Sequence, residues 1–462
     1  MTDKLPAEVI TERSGGKVSS NQRLVGETGR CQSETDWRFG KLVSLLIVAA
    51  FLLGVVANLY RSYAQYQVPS EVFDARHQGF CDFHNGVYFP AQAFAKRVNP
   101  YAQEYAQQYP TPRPVPFFSP SVLILHLPFG LMPLRAAEIA YVVYLYGLLM
   151  LLAGLVVRFV RLRWRWQAWL LVATFILFSR SGHNTLFTGY FTFELVIGTL
   201  VALEYGKRRP GLAALGLLLA SGKPTYIIPL GFLMLARGNF RAIFYGALLS
   251  IAVAAAGFGW LASNSSVSKV LTGIQQGQQA HLDDPNEFPV NTHVRVDLPA
   301  IVFKWIGANP DEIVQLAWMA GMLVPICFVI WKYRKKLDDQ GKSASILGLL
   351  ISVAMIVSFY HHYYDLLVAM TGCLGMIVGF HSWANVSKPL RIALLCLIGF
   401  PMLNYTSASI FLDRFFTTED LAYRVLTSLN ALSLAASLIV LIVTIVRLAR
   451  VESFRMPVEK SV

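Results

Sequence analysis

Long apolar stretches, each cut off by charged or Gly/Pro-rich residues, set the pattern of this chain. A helix needs roughly 17–25 predominantly apolar residues to cross a bilayer. Stretches of this kind fall near residues 42–60, 135–157, 166–181, 188–205, 209–222, 224–237, 241–261, 313–332, 343–360, 363–380, 390–405 and 423–447, which predicts twelve crossings. Residues 117–133 are apolar too, but Pro120, Pro128 and Pro133 interrupt them. Treated as an interfacial or re-entrant helix, this stretch puts Arg158, Arg161, Arg163 and Arg165 on one side of the membrane. On that side they join Lys207, Arg208 and Arg209, Arg237 with Arg241, the run 332–342, Lys388 with Arg391, and Arg447 with Arg450. Basic residues collect on the cytoplasmic side of membrane proteins. The expectation is therefore an all-α polytopic membrane protein with both termini cytoplasmic. Residues 1–40, polar and Gly/Ser-rich, read as a disordered cytoplasmic tail. Residues 41–450 read as a single integral membrane domain, and 451–462 as a second cytoplasmic tail. The first apolar run begins too late and is too long for a cleaved signal peptide.

The same topology sorts the polar residues. The outer side receives the loop 61–115, the triplet Gly182-His183-Asn184, the break Gly222-Lys223-Pro224, the loop 262–312 and the run His361-His362-Tyr363-Tyr364-Asp365. Ionisable groups at a membrane edge are costly and mark functional sites by default. Each also has a local reading. His183 and Asn184 could cap a turn, Lys223 could snorkel to the headgroups, and the paired histidines could belong to an interfacial aromatic belt. Their convergence on one face favours a shared site. Residues 297–306 read as a short interfacial helix anchored by Trp305.

Composition narrows the class. Hydrophobic residues make up 55% and charged residues 15%, against about 25% charged in a soluble domain. The net charge of +13 is taken up by the cytoplasmic loops, and no basic, aromatic module for nucleic acid is present. The five cysteines (Cys31, Cys81, Cys327, Cys373 and Cys396) are scattered and include no CxxC, which suggests neither a disulfide framework nor a zinc site. No Walker or Rossmann glycine pattern occurs.

Three groups carry candidate chemistry. Asp82 and His84 lie two residues apart in the first outer loop with no evident packing role, and either could act as a base. Lys223, between Gly222 and Pro224, sits where a helix must break. A compact ammonium there suits an anion such as phosphate. His361 and Asp365, four apart, would share a helix face, so that Asp365 could orient His361 for phosphate binding, proton relay or metal ligation. The metal reading lacks a clear third ligand, although His281, Asp283 and Asp284 lie in the outer loop. Metal: none, and cofactors: none, are the expectations.

Five stretches in order resemble one family. They are Asp82-Phe83 through Tyr88 with Asn99-Pro100-Tyr101; Phe118-Ser119-Pro120 through Met132-Pro133; Gly182-His183-Asn184; Lys223-Pro224; and Tyr360-His361-His362-Tyr363-Tyr364-Asp365. Over residues 42–385 the chain resembles glycosyltransferase family 87, with His183 where that family has Gln and His362 where it has Arg. The resemblance implies a GT-C-type membrane fold and a polyprenyl-phosphate sugar donor, mannose being the best-known case. It also implies a glycolipid or glycan acceptor and a catalytic carboxylate in the first outer loop, here Asp82. His84, Tyr88, His183, Asn184, Lys223, His361, His362 and Asp365 would line the substrate site. The expected product is a glycosylated envelope component on the outer face of the plasma membrane. A secondary transporter or lipid flippase is the alternative from another class, because broken helices are transporter features. A structural scaffold, for which Asp82 would be dispensable, is a third reading.

Overall fold

Apolar helices of two lengths build the chain, and the difference decides which of them meet lipid. In this computed structural model, residues 39–69, 77–116, 118–163, 166–337 and 342–454 are described. Of the expected tails 1–40 and 451–462, residues 1–38 and 455–462 lie outside the described residues, as do Cys31 and Arg165, while 451–454 continue the last helix. In chain order the helices are α1 (Lys41–Ala64), a π-helical turn (Phe83–Tyr88) continuing into α2 (Phe89–Ala95), α3 (Gln103–Gln108), α4 (Pro120–Gly130), α5 (Leu134–Phe159), α6 (Trp166–Phe178) and α7 (Arg180–Thr188). They continue as α8 (Thr192–Tyr205), α9 (Pro210–Ala220), α10 (Pro224–Arg237), α11 (Phe240–Ala262), α12 (Val267–Leu282), α13 (Leu298–Ile306) and α14 (Glu312–Leu337). The last are α15 (Ile346–Ser358), a 3-10 helix (Tyr363–Ala369) running into α16 (Met370–Val378), α17 (Lys388–Leu403), α18 (Ser409–Phe415) and α19 (Leu421–Phe454). The described residues hold only isolated β-bridges, Tyr66 with Gly79 and Arg295 with His362.

By length and composition, six helical segments can cross a bilayer unaided: Lys41–Ala64, Leu134–Phe159, Phe240–Ala262, Ile313–Leu337, Lys388–Ser407 and Leu421–Arg450. The protein is a multi-pass membrane protein. The other six expected crossings fall on shorter pieces. α15 has 13 residues, about 20 Å at 1.5 Å per residue, against a hydrocarbon layer of about 30 Å. The count of twelve is therefore not established by helix length. Of the short helices, α15 and α8 sit inside the bundle, whereas α6, α9 and α10 each keep exposed apolar residues. Every residue of α15 is buried, as are nearly all of α8, whereas α1 and α11 turn most of their surface outward. A helix surrounded by protein can break where a lipid-facing one cannot, because neighbouring chain satisfies its free backbone groups. α4 does this at the α9–α10 break, where the Ser119 N–H donates to the Gly222 carbonyl at 3.1 Å.

α8 and α9 form the closest helix contact in this interior. A Cβ on Gly216 would lie 2.5 Å from the Gly198 carbonyl oxygen, and one on Gly198 would lie 2.6 Å from the Gly216 carbonyl oxygen. Small residues let helices approach closely where lipid supplies no hydrophobic drive. Gly216→Val should cost about 1–3 kcal/mol through overpacking, read as a lower melting temperature in detergent. An unchanged melt would show that the two helices can part without cost.

The ends of the interior helices define two opposite poles. At one, Lys342 pairs with Glu204 at 2.5 Å, and Arg237 donates to the carbonyls of Leu203 and Lys342. At the other lie the C-terminus of α15, the N-terminus of α10 and the C-terminus of α7, and here the candidate chemistry gathers.

Candidate functional site

Asp82 is held by a strained turn against the end of α7. Phe80 adopts φ +63, an unusual conformation for a bulky residue of a kind found at functional sites. Its N–H donates to the Phe187 carbonyl at 2.9 Å. Gly189, the left-handed cap of α7 (φ +76), leaves room for this turn, since a Cβ there would come within 2.7 Å of the Phe83 Cβ. Phe83 in turn stacks on Tyr141, ring centroids 4.5 Å apart. Asp82 comes next to the Thr188 hydroxyl, from which it takes a hydrogen bond, and it keeps a partly exposed edge. Burial pushes its carboxyl up to about 6, and nearby Glu287 adds to this. The hydrogen bonds of Thr188 and Cys81 and the charge of Lys223 pull the other way. The π-helical turn Phe83–Tyr88 follows directly, and such turns recur at functional sites.

Lys223 stands at the N-terminus of α10, immediately before Pro224. Its side chain is buried, and its ammonium lies 5.5, 5.7 and 5.6 Å from the ring centroids of Tyr190, Tyr360 and Tyr364. Aromatic faces stabilise a cation without occupying its hydrogen-bond donors. The nearest carboxylate, Asp365, is 3.9 Å away and already engaged. Its Oδ1 accepts from the Tyr226 hydroxyl at 2.6 Å and its Oδ2 from the His362 N–H at 3.0 Å. Helix N-termini attract anions through unpaired N–H groups and the helix dipole, so ammonium and dipole act together here.

The third wall comes from the outer loop. Its segment 294–296 runs beside 361–363, with Val296 N–H donating to the His361 carbonyl and Tyr363 N–H to the Val294 carbonyl. Arg295 and Asp297 form a buried bidentate pair at 2.7 and 2.9 Å, and the Arg295 guanidinium lies 4.6 Å from the centroid of Tyr360. Glu287 accepts from the Tyr360 hydroxyl at 2.5 Å and from Arg113 at 2.9 Å, and Arg113 also binds Asp284. Burial alone would raise Glu287, yet the groups around it hold it below the usual carboxylate range. His281 and His362 are themselves pushed down, to about 4 and about 3, chiefly by burial. Both imidazoles are therefore neutral at ordinary pH, and Arg113 with the Tyr360 hydroxyl is what keeps Glu287 charged. Tyr360 spends its one proton on Glu287, so the 2.9 Å contact between His362 Nε2 and the Tyr360 oxygen requires the Nε2–H tautomer, with imidazole as donor.

Asp82, Lys223, His362 and Asp365 thus belong to one centre. His361 backs it: its Nδ1 lies 3.0 Å from the Phe359 carbonyl and its ring packs on Tyr226. The expected pairing of His361 with Asp365 does not form, because the segment is extended through His362 and then enters a 3-10 helix, leaving the two on different faces. Three other residues find partners elsewhere. His84 Nε2 bonds Glu138 at 2.9 Å, in a cluster with Tyr66 and Arg135. The Tyr88 hydroxyl donates to the Met132 carbonyl at 3.0 Å. His183 meets Asn58 of α1 through Nδ1 at 3.2 Å and through its carbonyl at 3.1 Å. His183 and Asn184 ride on helix α7 rather than in a turn, with the Asn184 carbonyl 3.2 Å from the Thr188 hydroxyl oxygen. Among the described residues, no group of three His, Cys, Asp or Glu side chains is arranged to hold a metal.

Sequence reasoning overlooked Tyr190, Tyr226, Thr188, Arg113, Glu287 and the Arg295–Asp297 pair. It also passed over Glu138 and Glu194, lone carboxylates within apolar runs. That placement was the available signal. Glu194, in the first turn of α8, pairs with His126 at 2.9 Å, whereas Glu204 near the other end of α8 pairs with Lys342, so ionisable groups of the apolar runs are not confined to one face.

A bundle of apolar helices with a buried carboxylate–ammonium centre at one pole defines a polytopic membrane protein. The model of glycosyltransferase family 87 matches residues 117–359, just over half of the chain. The chain belongs to that family and is a membrane glycosyltransferase, with a sugar donor and an acceptor as substrates. His183, Asn184 and Lys223 lie inside the matched stretch; Asp82, His361, His362 and Asp365 lie outside it. No curated protein and no solved structure matches the chain.

Proposed function

We propose that the protein transfers a hexose, with mannose as the leading case, from a polyprenyl-phosphate sugar to an envelope glycolipid or polysaccharide, with inversion at the anomeric carbon. Asp82 takes the proton from an acceptor hydroxyl. The hydroxyl oxygen attacks the anomeric carbon, the bond to the phosphate oxygen breaks, and polyprenyl phosphate departs as a monoester. Because that leaving group is already a stable anion, no strong general acid is required. Lys223 stabilises the charge that grows on it, and Tyr190, Tyr360 and Tyr364 keep the ammonium oriented. His362 and the charged groups of the outer loop contact the sugars. The observation that carries this reading is that a carboxylate raised to about 6 shares one centre with a caged ammonium.

The centre works on the outer face of the plasma membrane, with loops 61–115 and 262–312 outside and both termini cytoplasmic, a sidedness that the positive-inside pattern supports. Right-side-out vesicles carrying the protein, given radiolabelled polyprenyl-phosphate mannose and acceptor extract from outside, should release polyprenyl phosphate and label an extractable glycan. Labelling only in inverted vesicles would reverse the sidedness. Donor appearing across the membrane without label transfer would favour a flippase.

A further inference from the structure

We propose that a second cavity, separate from the Asp82–Lys223 centre, holds the phosphate headgroup of an anionic phospholipid. The cavity has a volume of about 320 Å³ and is lined by Arg61, Tyr405, Ala408, Phe411, Arg414 and Phe415, within the size range of small-ligand pockets. Arg61 lies in the last turn of α1, which crosses the membrane, so the cavity opens where that span ends. Exposed aromatic residues surround this level: Tyr60 and Tyr63 on α1, Tyr405, and Phe411 and Phe415 on α18. Trp and Tyr at such a height mark the headgroup boundary.

The wall chemistry selects the ligand. Among the described residues, neither guanidinium pairs with a carboxylate. Arg61 packs on the Phe187 ring at 4.0 Å and gives one N–H to Gln65, and Arg414 lies over Phe415. Guanidinium forks match phosphate oxygens, and the aromatic wall suits the first methylenes of an acyl chain. Arg180 shows the contrast. It lies deeper, and its N–H groups are taken up by the Asn404 and Ser407 carbonyls and the Ser407 hydroxyl. It fixes the backbone of residues 404–407 to α7 and leaves Arg61 and Arg414 for something from outside. A lipid seated there would clamp α18 and α1 against α7, whose last turn carries the Thr188 partner of Asp82.

The test uses the full-length purified protein in detergent, with lipid binding followed by native mass spectrometry. Phosphatidylglycerol should be retained in preference to phosphatidylcholine. Arg61→Gln and Arg414→Gln should each weaken its binding about fivefold, and the double variant roughly 25-fold. Arg61→Lys and Arg414→Lys keep the charge and should keep most of the binding, which separates loss of the site from loss of fold. Equal binding of the two lipids, or unchanged binding in the double Gln variant, overturns the proposal. Displacement of phosphatidylglycerol by an equal amount of polyprenyl monophosphate overturns it as well, since the cavity would then serve the prenyl lipid. Tight binding of water-soluble glycerol phosphate would remove the lipid from it.

Discussion

Asp82→Asn should slow turnover by roughly 10²–10⁴-fold, the usual span for loss of a general base, while donor binding stays close to wild type. The substitution preserves size and can still face the Thr188 hydroxyl, so the loss isolates proton acceptance. The pH profile makes the expectation sharper. With its carboxyl near 6, Asp82 is the free base at pH 7 and becomes protonated below 6, so kcat/KM of the wild type should fall about tenfold per unit on the acid side. The residual activity of the Asn variant should lack that limb. Stability should move the other way. A carboxyl raised in the fold above its ordinary 3.8 means the folded protein binds the proton more tightly than the unfolded chain. The folded state is therefore penalised as pH climbs from about 4 to about 6. Removing the charge lifts that penalty, so the variant should melt no lower than wild type at pH 7. If Asp82→Asn keeps near-normal turnover while His84→Ala is inactive, the base is His84. If both remain active, this loop is not catalytic.

Lys223→Gln should lower kcat by about 10²–10³-fold, the size of effect seen when one donor to a developing oxyanion is removed. It should also weaken binding of the polyprenyl phosphate product. The residue is buried at a helix break, so folding must be followed separately. Asp365 retains the Tyr226 hydroxyl and the His362 N–H, and Tyr190 and Tyr364 keep their ring contact, so the melting temperature should change little. Lys223→Arg is the informative companion. It keeps the charge but forces a wide planar fork into a cage sized for an ammonium, and should recover only part of the activity. Full turnover and unchanged product affinity in Lys223→Gln would leave the lysine a structural cation and remove the phosphate contact from the mechanism.

Apolar run lengths located the long apolar helices, because a membrane imposes a length that is visible residue by residue, but not α2, α3, α7, α12 and α18, which lie in stretches that read as loops. They did not reveal which helices stop short, since α15 and α8 are apolar on all sides whether lipid or protein surrounds them. The break at Lys223 was visible because Gly and Pro flank it. The cage around it was not: Tyr190, Tyr360 and Tyr364 come from two distant segments with no shared period. Glu287 reaches Arg113 across 174 positions, and no local pattern records such a contact. His84 was grouped with Asp82 by nearness in sequence. On a helix two residues are roughly 200° apart, so the imidazole turns to Glu138 while the carboxylate turns to Thr188. His361 and Asp365 were paired on the assumption of an α-helix, and the extended and 3-10 backbone there undoes the spacing.

The half-height interior helices give the protein an uneven thickness. α5, with 26 residues, measures about 39 Å, nearly twice the length of α15 at 1.5 Å per residue. The rim of the bundle therefore matches a full bilayer while its centre is apolar over a much shorter height, and polar loops fill the difference. Polar chain therefore reaches further towards the middle of the membrane at the centre of the bundle than at its rim. On the function proposed above, an acceptor hydroxyl and a prenyl chain, which share no solvent, would meet at that level.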